Sequence, residues 1–361
     1  MNTTTMTGLE FRQLTTPASI ESADADFIAM VDVRNRVYRE ISGHDDHTMP
    51  ADEIIGIYRP DEYELRLLWL IVRDGEPVGR IGVDIPWEEG SKAAYWLIEL
   101  LQSAQGEGIG SAAYALIEDV AREYGRTVLQ SWAPHPAAPG AALTPPTGYG
   151  SIPLDRAARF YLANGYSLEQ VVRNSVFDLR APFDAVERLL AEAKAASAGY
   201  RVVQWTLPTP AEYVDGYAWM KSRMSTDAPS AGLELDEEVW DAERLRIHDA
   251  MYTDVGRHLL VTAAQHIETG ELCAFNELVI GKDRTAASGQ EDTLVLREHR
   301  GHKLGTLVKC AGLLSWREIA PDSPRVMTYN AEENRPMLDI NEAIGFVPIA
   351  YEGAWKKVID L

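Results

Sequence analysis

The sequence predicts an α/β (α+β) chain in which one unit, a mixed and mostly antiparallel central sheet flanked by helices, occurs twice. Two observations lead there. The stretch Leu294-Val-Leu-Arg-Glu-His-Arg-Gly-His-Lys-Leu-Gly305 and its looser echo at Leu97–Gly110 both read as strand, tight turn, helix. The halves also share one register: Arg300 lies 195 residues after Gln105, and Gly345 lies 180 after Gly165. The two offsets differ by 15, close to the length of a Pro/Gly-rich insertion found only in the first half, so duplication with one break explains both.

The elements follow in order. Thr15–Arg39 carries helical punctuation, with Ser19 or Ser22 as caps and Phe27, Met30, Val31, Val33 and Val37 as its stripe. Gly43-His-Asp-Asp-His47 is a loop whose two histidines could recruit a metal; with no other ligand cluster, a solvated loop is the reading and no metal is expected. Leu67–Val72 and Val78–Val83 flank a hairpin turn, and 93–101 feeds the first tight turn. After the strand 127–132, residues 134–153 are too rich in Pro and Gly for a helix or central strand and form a surface insertion or a lid. A helix at 155–164 stops at Gly165, a strand covers 171–179, and the helix 182–196 with Ala196-Ser-Ala-Gly199 supplies the boundary. The second half repeats the plan: strand 200–207, helix 213–224, hairpin 259–279. We therefore expect domains at 1–180 and 200–361, joined by a helical linker at 181–199.

Composition narrows the function. Apolar content of 46% and charged content of 25% suit two ordinary cores. A net charge of -21 argues against nucleic acid, whose phosphates need clustered Lys and Arg, and is compatible with a cationic amine substrate or with simple solubility. Cys273 and Cys310, the only cysteines, read as small buried hydrophobes in a reducing compartment. Met1–Met6 has no basic region or apolar core of a signal peptide, and no apolar run reaches membrane-spanning length, so a cytoplasmic protein without a membrane partner is expected, monomer or homodimer.

The element order, with Gln105-x-x-Gly-x-Gly110 in one half and Arg300-Gly-x-x-x-Gly305 in the other, resembles the GNAT superfamily of acyl-CoA-dependent N-acyltransferases. Arg159-Phe-Tyr-Leu-Ala-Asn-Gly-Tyr166 and the stretch Asn334–Phe346 look like the family's closing helix and strand entry. The resemblance implies two tandem GNAT folds, each with a splayed cleft for acetyl-CoA (coenzyme A). Carried over position by position, the pantetheine edge is Leu100 and Leu101 in one copy and Val295 and Leu296 in the other. The pyrophosphate amides are those of Gln105, Gly106, Gly108, Ile109 and Gly110, and of Arg300, Gly301, His302, Lys303, Leu304 and Gly305, with Asn334 also on the cofactor side. Glycine at such turns lets the backbone approach a phosphate closely.

The resemblance further implies acetyl transfer from acetyl-CoA to a small-molecule primary amine by direct attack. Tyr161, four residues before Gly165, matches the family's acid that protonates the departing thiolate; Asn341 stands in its place in the second copy and cannot act as an acid. Tyr161 is also the kind of ring that anchors such a helix. For the base, Glu99 precedes the first cleft edge, and Glu291 and Asp292 precede the second. His299 and His302 flank the second turn, where an anion-contacting or surface role fits. Tandem members such as mycothiol synthase, in which one copy carries most of the activity, make unequal copies expected; a mycothiol-synthase-like enzyme and a non-catalytic acyl-CoA sensor are the alternatives.

Overall fold

The computed structural model describes residues 7–360, so the Met1–Met6 stretch lies outside the described residues. In the first half β1 (Leu9–Leu14), α1 (Ala25–Ser42), α2 (Ala51–Tyr58), β2 (Glu64–Arg73), β3 (Glu76–Pro86) and β4 (Ala93–Leu100) are followed by α3 (Ile109–Glu123) and β5 (Val128–Pro134). A two-residue pair, β6 (Ala142–Leu143) and β7 (Ile152–Pro153), then leads to α4 (Arg156–Ala163) and β8 (Ser167–Asp178). After α5 (Asp184–Ala196) the second half runs β9 (Tyr200–Thr206), α6 (Val214–Asp227), α7 (Ala242–Thr253), β10 (His258–His266), β11 (Leu272–Ile280), β12 (Ser288–Val295), α8 (Leu304–Ile319), β13 (Arg325–Ala331), α9 (Arg335–Ile344) and β14 (Val347–Val358).

Both faces of the sheet are covered, which explains why strands such as β2 read as unbroken apolar runs. Trp69 and Ile71 join the cluster under α3, whereas Leu68, Leu70 and Val72 join Phe27, Met30 and Ile54 of α1 and α2. Helix α1 begins later than expected. Asp24 caps it by accepting from Phe27 N at 2.8 Å, while Ser19 and Ser22 close a separate short turn. Helix α7 was not expected at all: its buried residues include His248 and Asp249, polar groups that hide the stripe.

The twelve long strands form one continuous sheet in the order β1-β2-β3-β4-β5-β14-β8-β13-β12-β11-β10-β9. The last strand of each half has changed sides. β14 pairs antiparallel with β5 along Glu352↔Pro134 to Val358↔Val128, and β8 pairs with β13 along Arg325↔Asp178 to Ala331↔Val172. The two exchanged strands pair with each other at the centre. The expected linker therefore divides the chain but not the sheet, and α5 is no free tether, since Leu190 and Ala193 pack on Leu304, Leu307 and Val308 of α8.

Candidate functional site

In each half the parallel strand pair parts after three rungs. β4 and β5 pair only at Ala93↔Val128, Ala94↔Leu129 and Tyr95↔Gln130, which leaves the stretch from Trp96 to Leu100 without a partner on that side. β12 and β13 likewise stop at Gln290↔Thr328. Where β12 parts, its pairing with β11 jumps from Leu278↔Gln290 to Asn276↔Thr293, a bulge that turns Glu291 and Asp292 out of register.

At the end of β4 the first turn is shaped for an anion. Gly106 has φ +88° and Gly108 φ +86°, and α3 starts with no side-chain cap, so its first N–H groups point out of the turn. A Cβ on Gly106 would lie 3.2 Å from Arg156 Nη1, which places an exposed guanidinium beside the turn; the spacing of the motif gave no hint of it. Gln105 Nε2 donates to the Leu100 carbonyl at 3.1 Å, and Arg300 Nε repeats the bond to Val295 O at 3.3 Å in the second copy. The side chains of Leu101, Ile109, Leu296 and Leu304 are buried in the cores, leaving only their backbone for a ligand. Gly110 faces Phe160 of α4, and Gly305 admits Ile340 of α9 to 3.0 Å from its would-be Cβ.

The second turn differs in kind. Lys303 takes the left-handed conformation, φ +54°, where the first copy has Gly108, and its ammonium is tied to Glu192 of α5 at 3.3 Å. His299 Nδ1 meets Tyr200 OH at 2.8 Å, and the His302 ring lies 5.4 Å from that of Tyr200. Gly301 has φ +90°, α8 too starts without a side-chain cap, and Asn334 sits at the head of α9 without capping it through its side chain. Among the described residues Glu271, Cys273 and His299 bring three potential ligand atoms within 4.8 Å. Burial and the Glu271 charge push the Cys273 thiol up to about 11, so the sulfur stays protonated there.

A cavity of about 390 Å³ opens along the parted stretch of β4, bounded by Trp132 and Pro134 of β5, Tyr38 of α1 and Tyr161 of α4. Tyr161 is buried, stacks on Trp355 with centroids 4.8 Å apart, and shares a 2.8 Å hydrogen bond with Ser131 Oγ. Burial outweighs that bond and raises its pKa, keeping the phenol protonated. Trp355 in turn donates to His135 Nε2 at 3.3 Å, which requires that the His135 proton sit on Nδ1, facing Asp155 Oδ2 at 3.0 Å. His135, from the Pro/Gly insertion, thereby braces Trp355, the ring on which Tyr161 stacks.

Glu99 lies in the same wall, but its carboxylate is clamped by Arg80 at 2.6 and 2.9 Å. Although burial pushes its pKa up, the Arg80 charge and hydrogen bonds, aided by Arg34, leave it below the usual range. A carboxylate so held is a poor proton acceptor. Glu352 lines the cavity too, without such a clamp. It comes from β14, the exchanged strand of the second half, and burial pushes its carboxyl up to about 7. In the second copy Asp292 and Glu277 are bridged by Lys221 at 2.7 and 3.2 Å, while burial raises Glu291.

The interiors beneath the two turns also diverge. In the first, Trp96, Tyr114, Phe160, Tyr161, Tyr166 and Trp355 form a contiguous aromatic cluster. At the positions matching Tyr114 and Tyr161 the second has Lys309 and Asn341, both fully buried, with Lys309 Nζ and the side-chain oxygens of Asn276, Gln290 and Asn341 lacking partners. Burial brings Lys309 down to about 7.

Comparison with known proteins agrees with this geometry. Residues 29–141, spanning α1 to the start of the insertion, match the acetyltransferase (GNAT) family model. Over 98% of this chain and 99% of the other, the fold is similar to a tandem GNAT protein from the clavulanic acid biosynthesis pathway, at 26% identity and a TM-score of 0.74. A GCN5-related N-acetyltransferase from Sphaerobacter thermophilus aligns over 99% and 98% of the two chains at 14% identity and a TM-score of 0.64, a likeness of fold. No curated protein sequence matches the chain. Among the described residues no helix is long and apolar enough to cross a membrane. Residues 29–141 thus carry a GNAT acetyltransferase domain, and over 98% of the chain the fold is that of a tandem GNAT protein.

Proposed function

We propose that the first copy transfers an acetyl group from acetyl-CoA to a primary amine, in a site completed by the second copy. The observation that carries this reading is the cavity along β4, whose wall brings Gln105, the first residue of the uncapped glycine turn, together with Tyr161 and Glu352. The residues fit the donor: a Cβ at position 106 would crowd the turn against Arg156, and the unpaired edge from Trp96 to Leu100 offers backbone groups to a pantetheine chain. Acetyl-CoA supplies a thioester carbonyl open to attack by an uncharged amine.

The chain then has three tasks. Gly106, Gly108 and the first amides of α3, with Arg156 beside them, hold the diphosphate. Glu352, its carboxyl raised by burial to about 7, accepts the amine proton in its ionised form, directly or through one water. Tyr161 keeps its proton because its ring is buried, and it donates that proton where the thiolate departs; Trp355, His135 and Asp155 hold its ring in place. The second copy contributes β14, and Asn341 provides no acid in its own cleft.

Incubating the protein with acetyl-CoA and a panel of primary amines should release free thiol. Tyr161→Phe should lower kcat by about ten- to a hundredfold with the Kd for CoA unchanged. No thiol release with any of the amines, together with intact CoA binding, would instead identify an acyl-CoA sensor.

A further inference from the structure

We infer that the second copy binds a zinc-class divalent cation through Glu271, Cys273 and His299, which clips the start of β11 to the turn ahead of α8. The inference goes beyond the acetyl-transfer reading and does not depend on it. Glu271 stands in the hairpin between β10 and β11, Cys273 at the start of β11, and His299 in the single turn Arg297–His299 between β12 and α8. Local geometry makes them converge. The pairing of β10 with β11 steps from Ala264↔Ala274 to Gln265↔Leu272, so Cys273 is the extra residue of a bulge, a feature that re-aims a side chain. Its carbonyl accepts from Leu296 N at 2.9 Å, which brings the turn carrying His299 alongside. Donor atoms of the three residues all lie within 4.8 Å of one another, and His299 Nε2 is 3.6 Å from Glu271 Oε2, too long for a hydrogen bond. Bonds of about 2.0–2.3 Å to zinc place tetrahedral ligand atoms roughly 3.3–3.6 Å apart. The Glu271–His299 pair already matches that spacing, and side-chain rotation closes the rest.

Two further observations point to a ligand rather than to chance packing. Tyr200 OH holds His299 Nδ1 at 2.8 Å, which leaves Nε2 turned towards Glu271. A second group that fixes one ring nitrogen so that the other faces the metal is the usual support of an imidazole ligand. The other observation is the contrast between the copies. The pairs Gly79↔Leu100 and Ala274↔Val295 share one offset of 195 residues, and the first copy has the same bulge, at Val78. Glu76 is present there too, but Val78 and Ala104 stand where the second copy has Cys273 and His299. The backbone thus accepts apolar side chains at both places, so the thiol and the imidazole answer no demand of the fold. Sulfur, imidazole nitrogen and carboxylate oxygen together select zinc over magnesium or calcium, which take oxygen ligands. As the metal–sulfur bond forms, the Cys273 S–H bond breaks and its proton passes to solvent. The two anionic ligands then balance the charge of the ion, and the turn leading into Arg300–Gly305 is fixed to the sheet.

Titrating the full chain under a phosphine reductant, with Zn²⁺ by calorimetry and with Co²⁺ by absorption, tests the site without any acetyl transfer. A single ion is expected to bind, with a thiolate-to-cobalt charge-transfer band in the near ultraviolet, and Zn²⁺ should raise the thermal midpoint. Cys273→Val and His299→Ala install the residues found at the matching places of the first copy, so both variants are built to fold. Cys273→Val should abolish the cobalt band, whereas Cys310→Ala, which removes the other cysteine, should keep it. His299→Ala should weaken Zn²⁺ binding at least about a hundredfold, and Tyr200→Phe about ten- to a hundredfold with the band retained. Absence of the band in the wild-type chain overturns the inference. So does a Zn²⁺ affinity that survives both Cys273→Val and His299→Ala, the result expected if the loop between His44 and His47 held the ion instead.

Discussion

Glu352→Gln is expected to lower kcat about a hundred- to ten-thousandfold, the range typical for loss of a general base, with the KM for acetyl-CoA little changed. The argument is positional first. Glu99, the carboxylate nearest the cleft edge in sequence, is locked to Arg80 and held ionised below its usual range. Glu352 lines the same cavity as Tyr38 and Tyr161, with burial as the cause of its shift. Its pKa of about 7 sets the sign of the pH dependence: the base acts only when ionised, so kcat should rise through about pH 7 and level off above it. In the Gln variant that limb should vanish. If the limb persists in the variant at reduced rate, the titrating group is another one.

Lys309→Met is expected to stabilise the protein at pH 7 by roughly 3–5 kcal/mol, from a folded pKa near 7 against about 10.5 in the open chain and ~1.4 kcal/mol per unit. The Lys309 Nζ is fully buried with no partner, so burial disfavours its charged form and the folded state gives up the proton near pH 7 rather than near 10.5. Between about pH 7 and 10.5 the unfolded chain binds the extra proton, and wild-type stability gains from each unit of pH increase through this group. Methionine has nearly the same length and no charge to bury. The variant's thermal midpoint should therefore exceed wild type at pH 7, and the gap should close towards pH 10. A midpoint no higher at pH 7 would mean that Nζ has a partner in solution, water or ligand.

Much of the fold could be read from the sequence because its signals are local. The glycine turns and the stop at Gly165 each depend on neighbours along the chain, and the 195- and 180-residue offsets come from matching these local marks between the halves. The exchange of β8 and β14 does not. Nothing in Val347–Val358 says which strand lies beside it, and a strand buried on both edges pairs equally well with either half. That single non-local fact decides the candidate base. Glu352 lies about 190 residues from Tyr161 in sequence and enters its cavity only through the exchange. His135 was hidden for a related reason: in a Pro/Gly-rich stretch it reads as loop, and its role appears only once Trp355 is brought across. The unequal interiors were partly legible in Tyr161 against Asn341, but the matching change from Tyr114 to Lys309 falls within an ordinary helical stripe.

The most direct test of the composite site is a crystal structure with an unreactive acetyl-CoA analogue. Acetyl transfer in the first copy predicts the pantetheine chain between β4 and β5, its acyl end beside Tyr161 and Glu352. An analogue bound only between β12 and β13, with Tyr161 and Glu352 remote from it, would contradict the account.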